Sequence, residues 1–280
     1  MAMQRYRAQK GAEISHAVAA PPGYTIEVVF LGGLTNNQMA AFKLAAKRWT
    51  NAIVGDLPDV IIDGQRINNL RITAQGSDID GPGQILGQAG PTFLRPGNAG
   101  AAAFLPATGE MQFDSADLAN MEADGTLNDV ITHEMGHVIG IGTVWTKKHL
   151  LKGAATSNPT FQGANAMREY GTLRGSSPSP VPVENTGGSG TRNSHWRDAV
   201  FRAELMTGFV NVGGNPMSRV TIASLQDMGY QVNMAAAQPY ELPNHLLMAE
   251  DGVLAEHAAM DRGIVLPRIP MTLPEDSLGH

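Results

Sequence analysis

The chain has 280 residues with 42% hydrophobic side chains, enough to bury a sizeable core in one large domain or two small ones. Its net charge of −6 and the lack of any basic run argue against a nucleic-acid partner, and no uncharged apolar run reaches the roughly 18 residues that cross a bilayer. Cysteine is absent, which excludes a disulfide framework, a thiolate metal site and a cysteine nucleophile.

The N-terminal part is predicted to contain an arm, a strand and a long helix. Residues 1–23 lack the apolar core of a secretory signal and are interpreted as an N-terminal arm. Residues 24–31 are apolar and β-prone, which predicts a first strand. Thr35 and Gln38 have the spacing of a capping box, and an apolar stripe predicts an amphipathic helix over residues 36–53. The stripe that should face the core comprises Met39, Phe42, Ala46, Trp49 and Ile53.

Two short strands are predicted next, over residues 60–62 and 70–74. The turn-prone pair Asp63 and Gly64 lies between them. We expect these strands to join the first one in a sheet that packs on the long helix.

Acidic residues follow in two segments. Asp80 precedes a glycine-rich stretch that ends near residue 89, and Asp114 and Asp117 lie within residues 111–117. The segments resemble the metal-stabilised loop of matrixins, where the matching carboxylates hold calcium. Gln88 and Gln112 replace the histidines of the structural zinc in matrixins, so the resemblance does not imply a second zinc ion. The alternative is a turn and a capped helix start that use the same aspartates.

The motif HEMGH at residues 133–137 carries the strongest chemical signal in the chain. Two histidines four residues apart on a helix face the same way, so His133 and His137 can bind one zinc ion. Glu134 would lie beside a water molecule on that ion. This arrangement predicts metal-assisted hydrolysis.

The residues around the motif predict the helix that it needs. Residues 126–129 have the form of a capping box, and the apolar positions that follow predict a helix from about residue 127 to 139. Gly140 and Gly142 then end this helix. The chain can therefore turn back toward the metal and supply a third ligand from further along.

Several residues are candidates for the third ligand. The compact pattern HExxHxxGxxH would place it at position 143, which is Thr143 in this chain. His149 adjoins two lysines, whose charges disfavour a nearby dication. His195 is the better candidate, because it ends a flexible glycine-rich segment beside a tryptophan. The alternatives are that His195 is a hydrogen-bonded structural histidine, or that Glu184 is the ligand. The remaining histidines of the C-terminal tail are interpreted as peripheral: His245, His257 and His280.

Three motifs together resemble the signatures of leishmanolysin-like metallopeptidases, which belong to the metzincins. They are HEMGHVIGIGTVW at 133–145, PVENTGGSGTRNSHW at 182–196 and ELMTG at 204–208. In that family a long insertion precedes the third histidine, and here 54 residues lie between Gly140 and His195. The resemblance covers about residues 24–235 and implies that Met206 is the methionine of the Met-turn, an apolar floor beneath the ligands.

The resemblance implies an α+β, metzincin-like fold. A twisted mixed sheet would pack on the long helix and the zinc-binding helix, forming an N-terminal subdomain up to about residue 140. Substrate would run along an edge strand of this sheet above the metal. A more irregular C-terminal subdomain would follow from about residue 141 and end in a helix.

The C-terminal half contains fewer regular elements. Residues 152–192 are rich in Gly, Ser, Pro and Asn and are interpreted as an ordered insertion with a flexible tip. Ser218 begins a helix that Gly229 should end. The catalytic domain would then span residues 24–235, and residues 236–280 would form an extension over the surface.

The predicted ligand set defines the chemistry. Three neutral imidazoles from His133, His137 and His195 would leave zinc one open position for water, and Glu134 would be the general base that activates this water. The resemblance implies a zinc-dependent endopeptidase with a protein or peptide substrate, exported from the cell. Two alternatives are a zinc-dependent amide or ester hydrolase of non-peptide substrates and a non-catalytic, zinc-stabilised binding module with a fourth protein ligand.

Overall fold

The computed structural model describes residues 3–15, 22–81, 83, 87–188, 190–211, 213–244 and 269–279. The strands within these residues are β1 (Gln4–Gln9), β2 (Ala12–Glu13), β3 (Thr25–Gly32), β4 (Val60–Ile62), β5 (Gln65–Ile67), β6 (Leu70–Ser77), β7 (Gly87–Leu94), β8 (Pro106–Asp114), β9 (Leu151–Lys152), β10 (Thr160–Phe161), β11 (Val181–Pro182) and β12 (Met271–Thr272). The α-helices are α1 (Asn36–Ala52), α2 (Ser115–Asp124), α3 (Leu127–Ile139), α4 (Ala164–Leu173), α5 (Asp198–Phe201) and α6 (Arg219–Met228).

A mixed sheet forms the centre of the fold. Within the described residues it has seven strands in the order β12-β7-β8-β6-β3-β1-β2. Strands β3, β6 and β8 are parallel, whereas β1 and β7 are antiparallel to their inner neighbours. Along β6 the side chains alternate between buried and partly exposed, so one face of the sheet is covered and the other faces solvent. This mixed α/β architecture agrees with the predicted fold class in its coarse outline.

Helix α1 connects the sheet to the helix that carries the HEMGH motif. The predicted capping box is confirmed, because the side chains of Thr35 and Gln38 each accept a hydrogen bond from the other's backbone N–H. Phe42 and Trp49 of the predicted stripe are fully buried, while Met39 is only partly buried. The Trp49 indole N–H donates to the Thr132 carbonyl of α3 over 2.9 Å. This bond fixes α1 against α3 just before the first histidine.

The N-terminal residues belong to the sheet. Residues 4–9, which the sequence pattern assigns to an arm, form β1 and pair antiparallel with β3 along their whole length. Tyr6 and Ala8 are buried in the core. Strand β3 is therefore the third strand of the chain rather than the first.

The segment 60–67 departs from the prediction. Asp63 and Gly64 both have positive φ, of 49° and 73°, and they join β4 to β5 in a two-residue hairpin. Two such residues suit the tight turn whose twist matches that of a hairpin. The hairpin is separate from the central sheet, so the prediction that residues 60–62 join the sheet is wrong. Strand β6 does join it, and extends to Ser77.

Helix α3 has the predicted bounds but a different start. Thr126 has a helical ψ of −12°, and its side chain makes no cap hydrogen bond to α3. The capping box predicted for residues 126–129 is thus wrong. Helix α2 ends at the left-handed Gly125, so no extended residue precedes α3, and an N-cap side chain needs an extended backbone. Asp129 instead pairs with Arg48 of α1 and with Asn215.

The C-terminal half packs around α6. As predicted, Ser218 is the N-cap of α6, and the left-handed Gly229 ends the helix. The insertion contains β9, β10, β11 and α4, and α4 packs on α6. Of the predicted extension, residues 271–272 form β12 and pair with β7. His245, His257 and His280 lie outside the described residues. None of the described helices is long and apolar enough to span a membrane.

Candidate metal centre

Three buried histidines converge between α3 and a distant loop. His133 and His137 lie one turn apart on α3, and the loop before α5 supplies His195. Their Nε2 atoms are separated by 3.0 Å (His133 to His137), 3.1 Å (His133 to His195) and 2.9 Å (His137 to His195). Among the described residues, no other set of three His, Asp or Glu side chains brings its ligand atoms together in this way.

Backbone carbonyls determine the tautomer of each ring. The contacts to Nδ1 are Leu205 O at 2.6 Å for His133, Ile141 O at 2.9 Å for His137 and Thr191 O at 2.9 Å for His195. Because a carbonyl can only accept, each Nδ1 carries the proton and each Nε2 keeps its lone pair. None of the three Nε2 atoms can therefore donate to another.

This arrangement fits a cation of the size and preference of zinc. Three lone pairs that point at one another repel unless a positive charge lies between them. Tetrahedral zinc with bonds of about 2.0–2.1 Å holds its ligand nitrogens about 3.3 Å apart. The separations here are a few tenths of an ångström shorter. The donor set, three neutral imidazoles with carbonyl partners, is one that zinc favours.

Burial keeps the three histidines neutral. The pKa of each of them is lowered to about 3, chiefly by desolvation and also by the neighbouring histidine, while the backbone hydrogen bond at Nδ1 opposes the shift. The metal-free chain thus presents unprotonated imidazoles throughout the neutral range, which is the form that binds a metal.

Glu134 lies beside the histidines without joining them. Its Oε1 is 3.7 Å from His133 Nε2. Its Oε2 is buried and has no hydrogen-bond partner among the described residues. Burial raises the pKa of this carboxyl group well above its usual value in the metal-free chain. A buried, unpartnered oxygen next to the imidazoles is suited to hold a proton or a water molecule.

Two glycines allow the chain to close around the centre. Helix α3 ends at Gly140, which has a φ of 121°. Gly142 has a φ of 76°, and a Cβ atom there would lie 2.1 Å from the Ser194 carbonyl. Only glycine permits this approach of the chain after α3 to the backbone next to His195.

Met206 packs under α3 at the motif. It is fully buried, and a Cβ atom on Gly136 would lie 2.8 Å from its sulfur and 2.9 Å from the Trp49 ring. Gly136 therefore gives Met206 and Trp49 room beside the histidines. This position agrees with the expected apolar floor, and it also agrees with an ordinary core methionine.

The other candidate ligands lie elsewhere or are already engaged. Thr143 donates its hydroxyl to the His137 carbonyl over 2.8 Å, so it caps the end of α3. His149 is exposed on a turn. The Glu184 carboxylate accepts four hydrogen bonds from its own loop and from the Asp198 N–H, so its predicted alternative role as a ligand is not supported.

Two aspartates of the predicted calcium site make the hydrogen bonds of a turn and a capped helix start, which was the alternative to calcium binding. Asp114 caps α2 and also accepts from the backbone N–H groups of residues 79–81. These bonds lower the pKa of the Asp114 carboxyl group. Asp117 accepts from Gly83 N–H, while its other carboxylate oxygen is buried and has no partner among the described residues.

Sequence reasoning missed the groups that orient the imidazoles. Leu205, Ile141 and Thr191 act through backbone carbonyls, which every residue type carries, so no sequence signal could have identified them. Each of the three lies inside one of the three motifs that resemble the family, but this position says nothing of a role for its carbonyl.

The part of the chain that contains this centre matches a known family. The family model described as leishmanolysin matches residues 102–245, slightly more than half of the chain. The leishmanolysin of Leishmania donovani is 28% identical over 152 residues, which make up 49% of this chain and 24% of that protein. The chain thus spans well under half of that relative's length. Since the matched region includes the three histidines, Glu134 and Met206, the chain belongs to the leishmanolysin family of peptidases.

Proposed function

We propose that this chain is a zinc-dependent endopeptidase in which His133, His137 and His195 hold the metal and Glu134 is the general base. The observation that carries the proposal is the convergence of three unprotonated Nε2 atoms beside a buried, unpartnered carboxylate oxygen. Membership of a metallopeptidase family supports the reaction class.

Glu134 moves the proton in the proposed reaction. When bound, zinc supplies a Lewis acid with a free coordination position, which acidifies water and polarises a substrate carbonyl. Glu134 accepts the proton of the attacking water as the new C–O bond forms, and then donates it to the nitrogen as the C–N bond breaks. The products are a carboxylate and an amine.

The partly unpaired edge strand β7 is an argument for a peptide substrate. Strand β12 pairs with β7 only at Phe93 and Leu94, and no described strand pairs with the outer side of residues 87–91. Helix α3 packs beneath β7 and β8, with Val138 against Gly109. An extended peptide could add to this edge through main-chain hydrogen bonds, which accept many side-chain sequences.

A fourth protein ligand is what a purely structural zinc site would require. Among the described residues, no fourth His, Asp or Glu joins the three histidines. The open position supports catalysis rather than a zinc-stabilised binding module.

Peptide hydrolysis tests the proposal directly. We expect wild-type protein to cleave members of an unbiased peptide mixture, detected by mass spectrometry, and to lose this activity with a chelator. Glu134→Ala should keep its zinc and lose about 10²–10⁴-fold in rate. Glu122→Gln, a carboxylate change on the neighbouring helix α2, is the matched control and should keep full activity.

Each alternative has its own outcome in the same assay. If no peptide is cleaved but small esters are hydrolysed, the proposed function changes from an endopeptidase to a hydrolase of non-peptide substrates. Bound zinc without turnover of either class would favour the binding module. An active Glu134→Ala protein would refute the role of the base.

Two narrower expectations are also proposals. Calcium binding near Asp80, Asp114 and Asp117 is supported by the buried Asp117 oxygen that has no partner among the described residues, although the three carboxylates do not converge as the three histidines do. A calcium titration of thermal stability with Asp117→Asn as the control tests it. Export from the cell is suggested by the family alone, and localisation of the tagged natural protein tests it.

A further inference from the structure

Glu204 is a fully buried carboxylate outside the candidate metal centre. Its Oε2 accepts a hydrogen bond from the Met206 N–H over 2.6 Å. Its Oε1 accepts from the Ser218 N–H at 3.0 Å, the Ser218 hydroxyl at 2.8 Å and the Thr221 hydroxyl at 2.5 Å. The side chain therefore joins the turn at residues 204–206 to the first turn of α6.

Neutral donors and a helix end hold this side chain in the interior. Burial raises the pKa of Glu204, whereas its hydrogen bonds to Thr221, Met206 and Ser218 lower it. The N-terminus of α6, with its partial positive charge, lies at the same carboxylate. Both oxygens are engaged, so Glu204 is available neither as a base nor as a metal ligand.

The turn that Glu204 holds contacts two of the three histidine segments. The Leu205 carbonyl accepts a hydrogen bond from the Nδ1–H of His133, and the Met206 carbonyl accepts one from the backbone N–H of Trp196 over 2.9 Å. The Thr221 hydroxyl, which donates to Glu204, also accepts from the Trp196 indole N–H over 2.8 Å. Trp196 directly follows His195. Two partners of Trp196 are thus themselves bound to Glu204.

We propose that Glu204 is a positioning residue that sets the placement of His133 and His195 relative to each other. His133 lies on α3 and His195 lies on a loop, and the 204–206 turn is a common support for both. Glu204 fixes that support against α6. The inference rests on the zinc site proposed above and extends it to a residue that touches neither metal nor substrate.

The test is the zinc affinity of Glu204→Gln, measured by competition with a chromogenic chelator. Glutamine has nearly the same shape. Its NH₂ group, however, cannot accept the hydrogen bonds that the replaced carboxylate oxygen accepts from N–H and O–H donors. Loss of a group that hydrogen-bonds a metal ligand directly weakens metal binding by about 10–100-fold. Glu204 acts one step further out, so we expect a loss at the lower end of this range, about tenfold. The absorption spectrum of the cobalt-substituted protein should also change, because the ligand geometry relaxes.

Glu169→Gln is the matched control. Glu169 is a buried carboxylate of α4 that pairs with Arg219 of α6 over 2.7 Å, so its loss weakens the same helix without touching the 204–206 turn. We expect this variant to lose thermal stability and to keep its zinc affinity and cobalt spectrum. A residue with a merely structural role would behave like Glu169.

The outcomes separate this inference from the proposed function. Wild-type zinc binding matched within twofold by Glu204→Gln would overturn the inference alone, whereas a wild type that binds no zinc would overturn both. If Glu204→Gln does not fold, Thr221→Val decides. This variant removes the link from Glu204 to Trp196 through the Thr221 hydroxyl and leaves the one through Met206. We expect zinc binding to weaken severalfold; unchanged affinity and an unchanged cobalt spectrum would overturn the inference.

Discussion

The three histidines of the candidate centre differ in protonation between the folded and unfolded chain. Burial lowers the pKa of each to about 3, while a histidine in an unfolded chain titrates near 6.5. As the pH falls below about 6.5, the unfolded state takes up protons first. The contribution of these three neutral histidines to the free energy of unfolding of the metal-free protein is therefore fully present above that pH and is lost as the pH falls toward 3.

Urea unfolding of the metal-free protein at several pH values measures this effect. With three such groups, we expect the free energy of unfolding to fall by up to ~4 kcal/mol per pH unit below about pH 6. His195→Ala removes one of the three groups and should reduce the slope. An unfolding midpoint that stays constant between pH 7 and pH 5 would show that the histidines are not buried as described.

At the residue scale, the sequence predicted some of the site and could not predict the rest. The HEMGH spacing identified His133, Glu134 and His137, because a helix has a fixed period. His195 was favoured only by elimination of the other histidines, by its glycine-rich setting and then by the resemblance, since no local rule relates a loop residue to a helix many positions earlier. Glu204 carried no signal by itself. Its partners on α6 come from residues 218 and 221, and only the folded chain brings them to it.

At the scale of elements, the contact between the end of α3 and the His195 loop depends on Gly142. Alanine there would combine a positive φ with a Cβ atom 2.1 Å from the Ser194 carbonyl. We expect Gly142→Ala to displace the segment that carries His195 and to weaken zinc binding at least tenfold, as measured by chelator competition, an effect typical of disturbed ligand support.

Gly175→Ala isolates the backbone contribution. Gly175 has a φ of 62° with open space around its Cα, so alanine there brings only the conformational cost, about 1–3 kcal/mol. We expect Gly175→Ala to lower the unfolding midpoint and leave zinc affinity unchanged. Equal zinc affinity of the two variants would show that the close approach at Gly142 does not position His195.

Elements with capping or terminating residues of their own were predictable, and elements defined by distant partners were not. Thr35 and Gln38 placed the start of α1, and Ser218 and Gly229 placed both ends of α6. Strand β1 was missed because its mixed sequence becomes a strand only by pairing with β3. The capping box predicted at Thr126 was wrong because α2 ends immediately before this residue, and the end of α2 is not visible in residues 126–129.

For the whole molecule, the core beneath the sheet is large and extends well beyond the three histidines. Buried side chains of β3, α1 and β6 form one continuous cluster with α3 and α6. We expect chelation at neutral pH to leave the far-ultraviolet circular dichroism unchanged and to lower the unfolding temperature. Zinc at a thousand times its Kd stabilises a folded chain by about 4 kcal/mol, which sets the size of the shift.

The zinc-free protein at 25 °C distinguishes catalysis from a structural role. A chain that unfolds on chelation under these conditions would be held together by its metal, as a binding module would be. Re-addition of zinc to a folded, metal-free chain should restore the original unfolding temperature. If the chain unfolds on chelation and zinc does not restore its unfolding temperature, the core is not stable without the metal.

The insertion between the second and third histidines is attached at both of its ends. His137 and His195 are 58 positions apart, yet their Nε2 atoms lie 2.9 Å from each other. Residues 174–178 inside this insertion are exposed, and a protease could cut the backbone there. Helix α4 would stay docked on α6, and β10 would stay paired with β11. A nicked molecule should therefore migrate as two fragments under denaturing conditions and still behave as a single particle in its native state.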